Sequence, residues 1–321
     1  MAMIRPNKTL ILGNGFDLDL QLPTTYAKFA TSQFWPLKDE DLFHSQLAQT
    51  LQNAKETERW FDIEDILFRY ARDRKLTETE QAGRIFGSVE SDKEVYHRLC
   101  SALCVYIEVI QSRKPINKES LAAKVLRAIS ANGTFNKVLS FNYTDLDDIC
   151  SRVGCAPVPY KHVHGSAKKG AIILGVSDEH RLLSGYDCLY KSQSIHYKSP
   201  GVRTTLNESS EIVIFGHSLG LQDIAYFSDF INRSADISQS SEQRRRITFF
   251  TKDETSQEQL MKNIRALNPS SFGRFRDLND VVFVRTEDVD KEDLDEFFEH
   301  LDNTSLASQK QMIDGLVRSL E

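Results

Sequence analysis

Thr9-Leu10-Ile11-Leu12-Gly13-Asn14-Gly15-Phe16-Asp17, close to the N-terminus, is the stretch whose reading decides the fold. Leu10 to Leu12 make an apolar run of strand type, and Gly13 and Gly15 follow at once. A strand that runs straight into glycines is how a nucleotide-binding sheet begins. Without a Cβ the backbone turns tightly, and its N–H groups come close to phosphate oxygens. The match to the dinucleotide fingerprint is partial, because that pattern has a third glycine before its helix and here Asp17 to Gln21 intervene. A tight turn without a ligand is the plain alternative. Three later motifs favour the nucleotide.

Working outward, Leu22-Pro23-Thr24-Thr25-Tyr26 predicts a helix start with Thr24 as N-cap, continued by Ala27, Phe29, Ala30 and Phe34. From there to residue 131 the pattern is helical. Leu42, Phe43, Leu47 and Leu51 give one stripe, Ile63, Ile66, Leu67 and Tyr70 a second, and Val95, Leu99, Leu103, Tyr106 and Ile110 the longest. Thr77 to Asp92 is polar with two glycines and predicts a loop. Asn117 is expected to cap a further helix carrying Leu121, Val125, Leu126 and Ile129.

The second half alternates. Val138 to Phe141, Tyr160 to Val163, Ala171 to Leu174, Glu211 to Phe215, Arg246 to Thr251 and Val281 to Arg285 read as strands. Helices are expected from Thr144, with Asp147 completing a weak capping box, and from near Leu221. Another runs from Thr255 to Asn268 with a capping box at Thr255 and Glu258, ended by Pro269, and others from Asp290 onward. Strands alternating with helices imply an α/β fold with a mostly parallel sheet and helices on both faces. Residues 1–23 and 132–321 make the α/β nucleotide-binding domain, and 24–131 a helical insertion. Leaving directly after the glycine loop, the insertion overhangs the carboxyl ends of the strands, where such sheets bind ligands, and is expected to cap the site.

Composition narrows the function. At 321 residues the chain buries a large core, and a formal charge of −6 argues against nonspecific nucleic-acid binding. The cluster Arg244-Arg245-Arg246 is too small to reverse this and reads as the solvated start of a strand. No segment approaches the ~20 apolar residues that span a bilayer, and no signal-peptide core is present, so the expected compartment is the cytoplasm. Five cysteines, an odd number without zinc-ribbon spacing, read as reduced core thiols, and no metal site is expected.

Three further motifs carry chemistry. Ser140-Phe141-Asn142-Tyr143-Thr144 ends a strand, where the Asn142 amide can hold a ribose hydroxyl or position a water, or can cap the next helix. In His162-Val163-His164-Gly165, alternation puts both histidines on one face. A histidine at a strand end before glycine suits a general base, since imidazole titrates near neutrality. Gly216-His217-Ser218-Leu219-Gly220 lies between a strand and a helix and matches the Gly-x-Ser-x-Gly elbow of α/β-hydrolases. The hydrolase triad needs a later histidine on a loop. The one histidine after Ser218 is His300, in an amphipathic stretch beside Phe297 and Phe298, which fits that role badly.

Taken in order, these motifs resemble the AbiH family of bacterial abortive-infection proteins, related to sirtuin-like NAD-consuming enzymes. The resemblance covers the glycine loop, Asp62-Ile63-Glu64 after Trp60, the Asn142 segment, His164-Gly165 with Ile173-Leu174-Gly175, and Gly216 to Gly220 with Asp223 beyond. It implies a sirtuin-like, Rossmann-type sheet. Against the wider sirtuin pattern, Gly13-Asn14-Gly15 matches the phosphate loop, with Pro23 in register, Asn142 the invariant Asn and His164 the catalytic His. His217-Ser218-Leu219 matches the segment lining the adenosine side. Asp17 stands where that pattern has Ser and Thr144 where it has Asp, and the zinc-binding cysteine module is absent. With a helical cap in its place, the resemblance favours NAD hydrolysis over protein deacylation.

The resemblance therefore implies an anti-phage enzyme that hydrolyses NAD, with no cofactor beyond NAD as substrate. His164 would be the general base and Asn142 would orient ribose or water. Asp17 would stabilise the oxocarbenium-like charge or instead cap the next helix. Gly13, Asn14, Gly15, Phe16, His162, Gly216, His217, Ser218 and Asp223 would bind the nucleotide. Asp62 and Glu64, at i, i+2, do not form a shared acid–base pair and line the cap surface or a solvated face. A free NADase is toxic, so a homo-oligomer or partner defence protein, released by a phage-derived trigger, is expected to hold it off. Two alternatives stay open: a sensor binding NAD or ADP-ribose-type ligands without turnover, and a serine hydrolase using Ser218.

Overall fold

The computed structural model describes residues 7–38, 44–58, 61–74, 89–133, 135–236, 238, 244–268, 272–288, 291–292 and 294–302. Leu42, Phe43, Trp60, residues 77–88 of the expected loop, Pro269, Asp290 and the end of the chain beyond 302 lie outside them.

The strands are β1 (Lys8–Leu12), β2 (Lys137–Ser140), β3 (Lys161–His162), β4 (Gly165–Ser166), β5 (Ala171–Ile172), β6 (Glu211–Phe215), β7 (Arg246–Thr251) and β8 (Asp280–Arg285). Six of them form one sheet in the order β3-β2-β1-β6-β7-β8, every neighbour parallel. Counting only its own members, this is the doubly wound order 3-2-1-4-5-6 of Rossmann-type sheets. β1 and β6 are buried along their whole length, as central strands of a parallel sheet must be.

Alternation divides the core in two. Leu10, Leu12, Val213 and Phe215 face one way and join a cluster with the helices Gln46–Thr57, Ile63–Asp73, Val89–Arg113, Leu121–Asn132 and Leu146–Val153. Ile11, Ile212, Ile214 and Phe249 face the other way, onto Val202–Glu208, Ile224–Ser234, Glu254–Leu267 and Phe272–Leu278. Helices thus cover both faces. Between β1 and β2 the described residues hold helices and no strand, and these helices share their core with the sheet.

Some local expectations change. Ala171 to Leu174 does not join the main sheet: Gly165, at φ +78°, turns the chain after β3, and β4 pairs antiparallel with β5. A Cβ at Gly165 would lie 1.8 Å from the Ala171 oxygen, so only glycine allows that turn. Alternation consequently stops at His162. Residues 89–92 are not loop but the start of the 25-residue helix Val89–Arg113. The caps also shift, because the choice among neighbouring Ser, Thr and Asp falls to the one whose oxygen reaches the third amide. Thr25, Ser120, Asp145 and Asp253 cap in place of Thr24, Asn117, Thr144 and Thr255. Arg245 is buried rather than solvated, donating to the carbonyls of Ser209 and Asn207 and to Ser234 Oγ.

One buried polar knot ties the inserted helices to the segment after β5. Asp92 accepts from Ser45 Oγ at 2.7 Å and from the hydroxyls of Tyr70 and Tyr186 at 2.5 Å each, with Arg74 at 3.4 Å. No helix among the described residues is long and apolar enough to cross a membrane.

Candidate active site

The carboxyl ends of β3, β2, β1 and β6 lie side by side, and the chain reverses its winding between β1 and β6, which is where open parallel sheets leave a crevice. The loops leaving β1 and β6 are pressed together there. Gly13 N donates to the Phe215 carbonyl at 2.9 Å and Gly15 N to the Gly216 carbonyl at 2.8 Å. A Cβ on Gly15 would lie 2.6 Å from Gly216 Cα, and one on Gly13 2.6 Å from His217 Cα. These glycines allow two backbones to touch, and their amides are engaged within the protein. Asn14 is exposed and its Oδ1 accepts from Thr24 Oγ1 at 2.6 Å. Phe16 is buried in the core with its ring edge-on to Phe215.

Two buried polar clusters flank this contact. In the first, Asn142 donates through Nδ2 to Asp17 Oδ1 at 2.8 Å and to the Gly13 carbonyl at 3.0 Å. Thr144 Oγ1 lies 3.0 Å from Asp17 Oδ2. Both amide hydrogens of Asn142 are thus engaged, which leaves Oδ1 to accept from a water or hydroxyl. Burial pushes the Asp17 carboxyl up to about 7, against the opposing hydrogen bonds from Thr144, Asn142 and Thr24.

The second cluster centres on Asp223. His164 Nε2 lies 2.8 Å from Asp223 Oδ1, and His217 Nε2 3.3 Å from Oδ2. Lys191 Nζ reaches Asp223 Oδ1 at 2.8 Å, Glu64 Oε1 at 3.2 Å and the Gln222 carbonyl at 3.2 Å. Glu64 Oε1 also accepts from the Gly175 amide at 3.0 Å. The ring of Phe141 packs edge-on to both histidines, 5.2 Å from His164 and 4.3 Å from His217. His164 Nδ1 and Gln222 Nε2 are buried without a hydrogen-bond partner.

The charges follow from these neighbours. Burial lowers the His164 imidazole to about 4, helped by Lys191 and resisted by Asp223, so the ring is neutral at pH 7. Burial would raise Asp223, but Lys191, His164 and His217 hold it well below the usual carboxylate range. Burial would lower Lys191, and the carboxylates of Asp223 and Glu64 raise it instead. Glu64 is pushed up to about 7, mainly by burial.

Of the sequence-predicted residues, Asp17 meets Asn142, while His164, His217 and Asp223 form the second cluster. His162 stands apart: its Nδ1 lies 3.0 Å from the Asn142 carbonyl and its ring packs on Tyr160. Asp62 caps Ile63–Asp73 by accepting from the Glu64 and Asp65 amides, whereas Glu64 reaches the site. Gly216 takes φ +66° at the loop contact. Ser218 is exposed, its carbonyl accepting from Asn263 Nδ2 at 2.7 Å. His300 bonds Glu211, the first residue of β6, at the opposite strand end from Ser218, which removes it as a triad partner.

Lys191 and Gln222 had no sequence signal. Lys191 opens the single 3-10 turn Lys191–Gln193 in a stretch of sequence with no periodicity, and it is brought in where Gly175 lets residues 175 and 189 approach: a Cβ there would lie 2.3 Å from the Leu189 oxygen. The site is closed: Asp17, Asn142, His164, Lys191, His217 and Gln222 are all buried. A surface groove of about 820 Å³ on the outer face of Val89–Arg113, lined by His97 and Val105 among others, shares no residue with it.

No curated protein matches the chain in sequence. A Sir2 homologue solved as its NAD complex is similar over 93% of this chain and 90% of that one, with 12% identity and a TM-score of 0.38. That likeness is too distant to carry an argument about activity. The sequence profile described as bacteriophage abortive infection AbiH matches residues 9–250, through both clusters and the sheet from β1 to β7. The chain belongs to the AbiH family.

Proposed function

We propose that this chain is a cytoplasmic anti-phage enzyme that hydrolyses NAD to nicotinamide and ADP-ribose, with His164 as general base. One observation carries the reading. His164 is held through Nε2 by Asp223, and its Nδ1 is buried and bare at the strand ends beside the winding reversal. A carboxylate-held, neutral imidazole with a free nitrogen is the arrangement of a base that takes a proton from water or a hydroxyl.

The nicotinamide–ribose bond breaks through an oxocarbenium-like state, and the leaving group is already cationic, so no strong acid is required. His164 Nδ1 would accept the proton of the attacking water. Asn142 Oδ1 would orient that water or a ribose hydroxyl, since its amide hydrogens are already engaged. Asp17, near its own midpoint at neutral pH, would supply negative charge to the cation. Residues 24–131 would form the cap. Because the site residues are buried, NAD would reach the base only after an opening motion, and the Glu64–Lys191 ion pair is proposed as a contact that parts in it. An oligomer or partner defence protein is proposed to hold that resting state.

The closure also favours a second reading, binding of NAD or an ADP-ribose-type ligand without turnover. Incubating the purified protein with NAD and following nicotinamide release separates the two. Release abolished by His164→Ala and strongly reduced by Asn142→Ala supports hydrolysis. Release undiminished in both variants overturns the assignment, and ligand binding with no release selects the sensor.

A further inference from the structure

Counting hydrogens around Asp223 identifies which nitrogen of His164 is bare. Lys191 Nζ carries three N–H groups and has three acceptor groups around it: Asp223 through Oδ1 at 2.8 Å, the Gln222 carbonyl at 3.2 Å and the Glu64 carboxylate, with Oε1 at 3.2 Å and Oε2 at 3.3 Å. Its contact with His164 Nε2, at 3.5 Å, is longer than any of these. His164 Nε2 is therefore the nitrogen that bears the ring proton and donates it to Asp223. His217 closes the count, because its Nδ1 accepts from the Leu219 amide at 3.0 Å, so its Nε2 carries a proton toward Asp223 Oδ2. One carboxylate receives one ammonium and two neutral imidazole N–H groups, and His164 Nδ1 keeps its lone pair.

Burial is the first cause of the neutral ring, and the lysine is the second. Asp223 alone, 2.8 Å from His164, would favour an imidazolium, and a protonated ring cannot act as a base. A positive charge on the same oxygen cancels that pull. Glu64 flanks the ammonium on its other side and offsets its burial. Among the described residues, the remaining titratable groups facing His164 are His217 and Tyr226, the latter with its ring centre 6.0 Å away.

We propose that Lys191 is a positioning residue that binds no substrate group. It holds Asp223 as an anion and keeps His164 neutral in its Nε2–H form, so that Nδ1 is the working base. Its part in a reaction rests on the NAD reading; its effect on the imidazole does not.

Ring-nitrogen NMR of the wild-type protein tests the assignment directly. The expected spectrum shows a neutral Nε2–H imidazole at pH 7 titrating well below the ordinary ~6.5. An Nδ1–H tautomer or an imidazolium at pH 7 overturns it. In Lys191→Met the His164 titration should move up by about one pH unit or more. An unmoved titration in folded Lys191→Met overturns the proposal. Lys191→Arg, which keeps the charge, should hold the ring neutral at pH 7, and a protonated ring there also overturns it. Should Lys191→Met not fold, the wild-type and Lys191→Arg spectra decide. Nicotinamide release is read in parallel: if wild type releases none, the NAD reading fails while the ring spectra still judge Lys191. If it does release, the acid limb should rise with the His164 titration in Lys191→Met.

Discussion

Glu64 Oε1 and Lys191 Nζ lie 3.2 Å apart, and this contact joins a helix inserted between β1 and β2 to the carboxylate that holds His164. Glu64 sits in the first turn of Ile63–Asp73, capped by Asp62, so its position is set by that helix rather than by a loop.

Since the Glu64 carboxyl is pushed up to about 7, the pair is a full ion pair only on the alkaline side of neutrality. If its parting limits access to the base, Glu64→Gln should release nicotinamide about tenfold faster than wild type at pH 8, a weight of ~1.4 kcal/mol. At pH 6, where wild-type Glu64 is already protonated, the two rates should converge. Initial rates at both pH values check this; a slower variant at pH 8 would instead make Glu64 part of the chemistry.

Asp17 gives a stability prediction. Its folded carboxyl, raised by burial to about 7 from an ordinary 3.8, binds a proton more tightly than the unfolded chain does. Between those values the folded state holds more protons, so stability falls as pH rises and the penalty is complete above 7. Asp17→Asn should remove that slope: urea midpoints of the two proteins should agree near pH 4. By pH 8 the variant should be ahead by a few kcal/mol, at about 1.4 per pKa unit.

Asp92 makes the opposite case. It receives Ser45, Tyr70 and Tyr186 and faces Arg74 with no solvent to replace them. Asp92→Ala removes the buried acceptor shared by Ser45, Tyr70 and Tyr186 and the carboxylate that faces Arg74, which costs about 3–5 kcal/mol. Urea unfolding at pH 7 measures it, and a loss under 1 kcal/mol would mean the knot is not holding the insertion in place.

Ser218 settles the remaining chemistry. Its hydroxyl is exposed, and His300 is committed to Glu211 at the far end of β6. A fluorophosphonate probe should leave the wild-type protein unlabelled. Labelling that disappears in Ser218→Ala would restore a serine hydrolase.

Most of the sheet was legible from local pattern. β1, β2, β6, β7 and β8 fall within two residues of the apolar runs that predict them; the first four are largely buried and leave an unbroken apolar signature, and the half-buried edge strand β8 still carries Val281 to Val284. The site was legible in part for the same reason: Asn142, His164 and the Gly216 segment each directly follow a strand. What stayed hidden depends on distance through space. Nothing near Lys191 in sequence distinguishes it from a surface lysine, and its burial follows from Asp223 and Glu64, 32 and 127 residues away. Caps were missed by one to three residues, since Thr24 and Thr25, or Asp253 and Thr255, differ only in which oxygen meets the amide.

The glycine contact between the β1 and β6 loops has a mechanical meaning. With Gly13 and Gly15 bonded to Phe215 and Gly216, the floor beneath both clusters is one stiff piece, so little of any opening motion can come from below. Movement is left to the roof. Whatever lifts the helix that carries Glu64 would withdraw one of the two negative neighbours of Lys191, whose other one holds the imidazole.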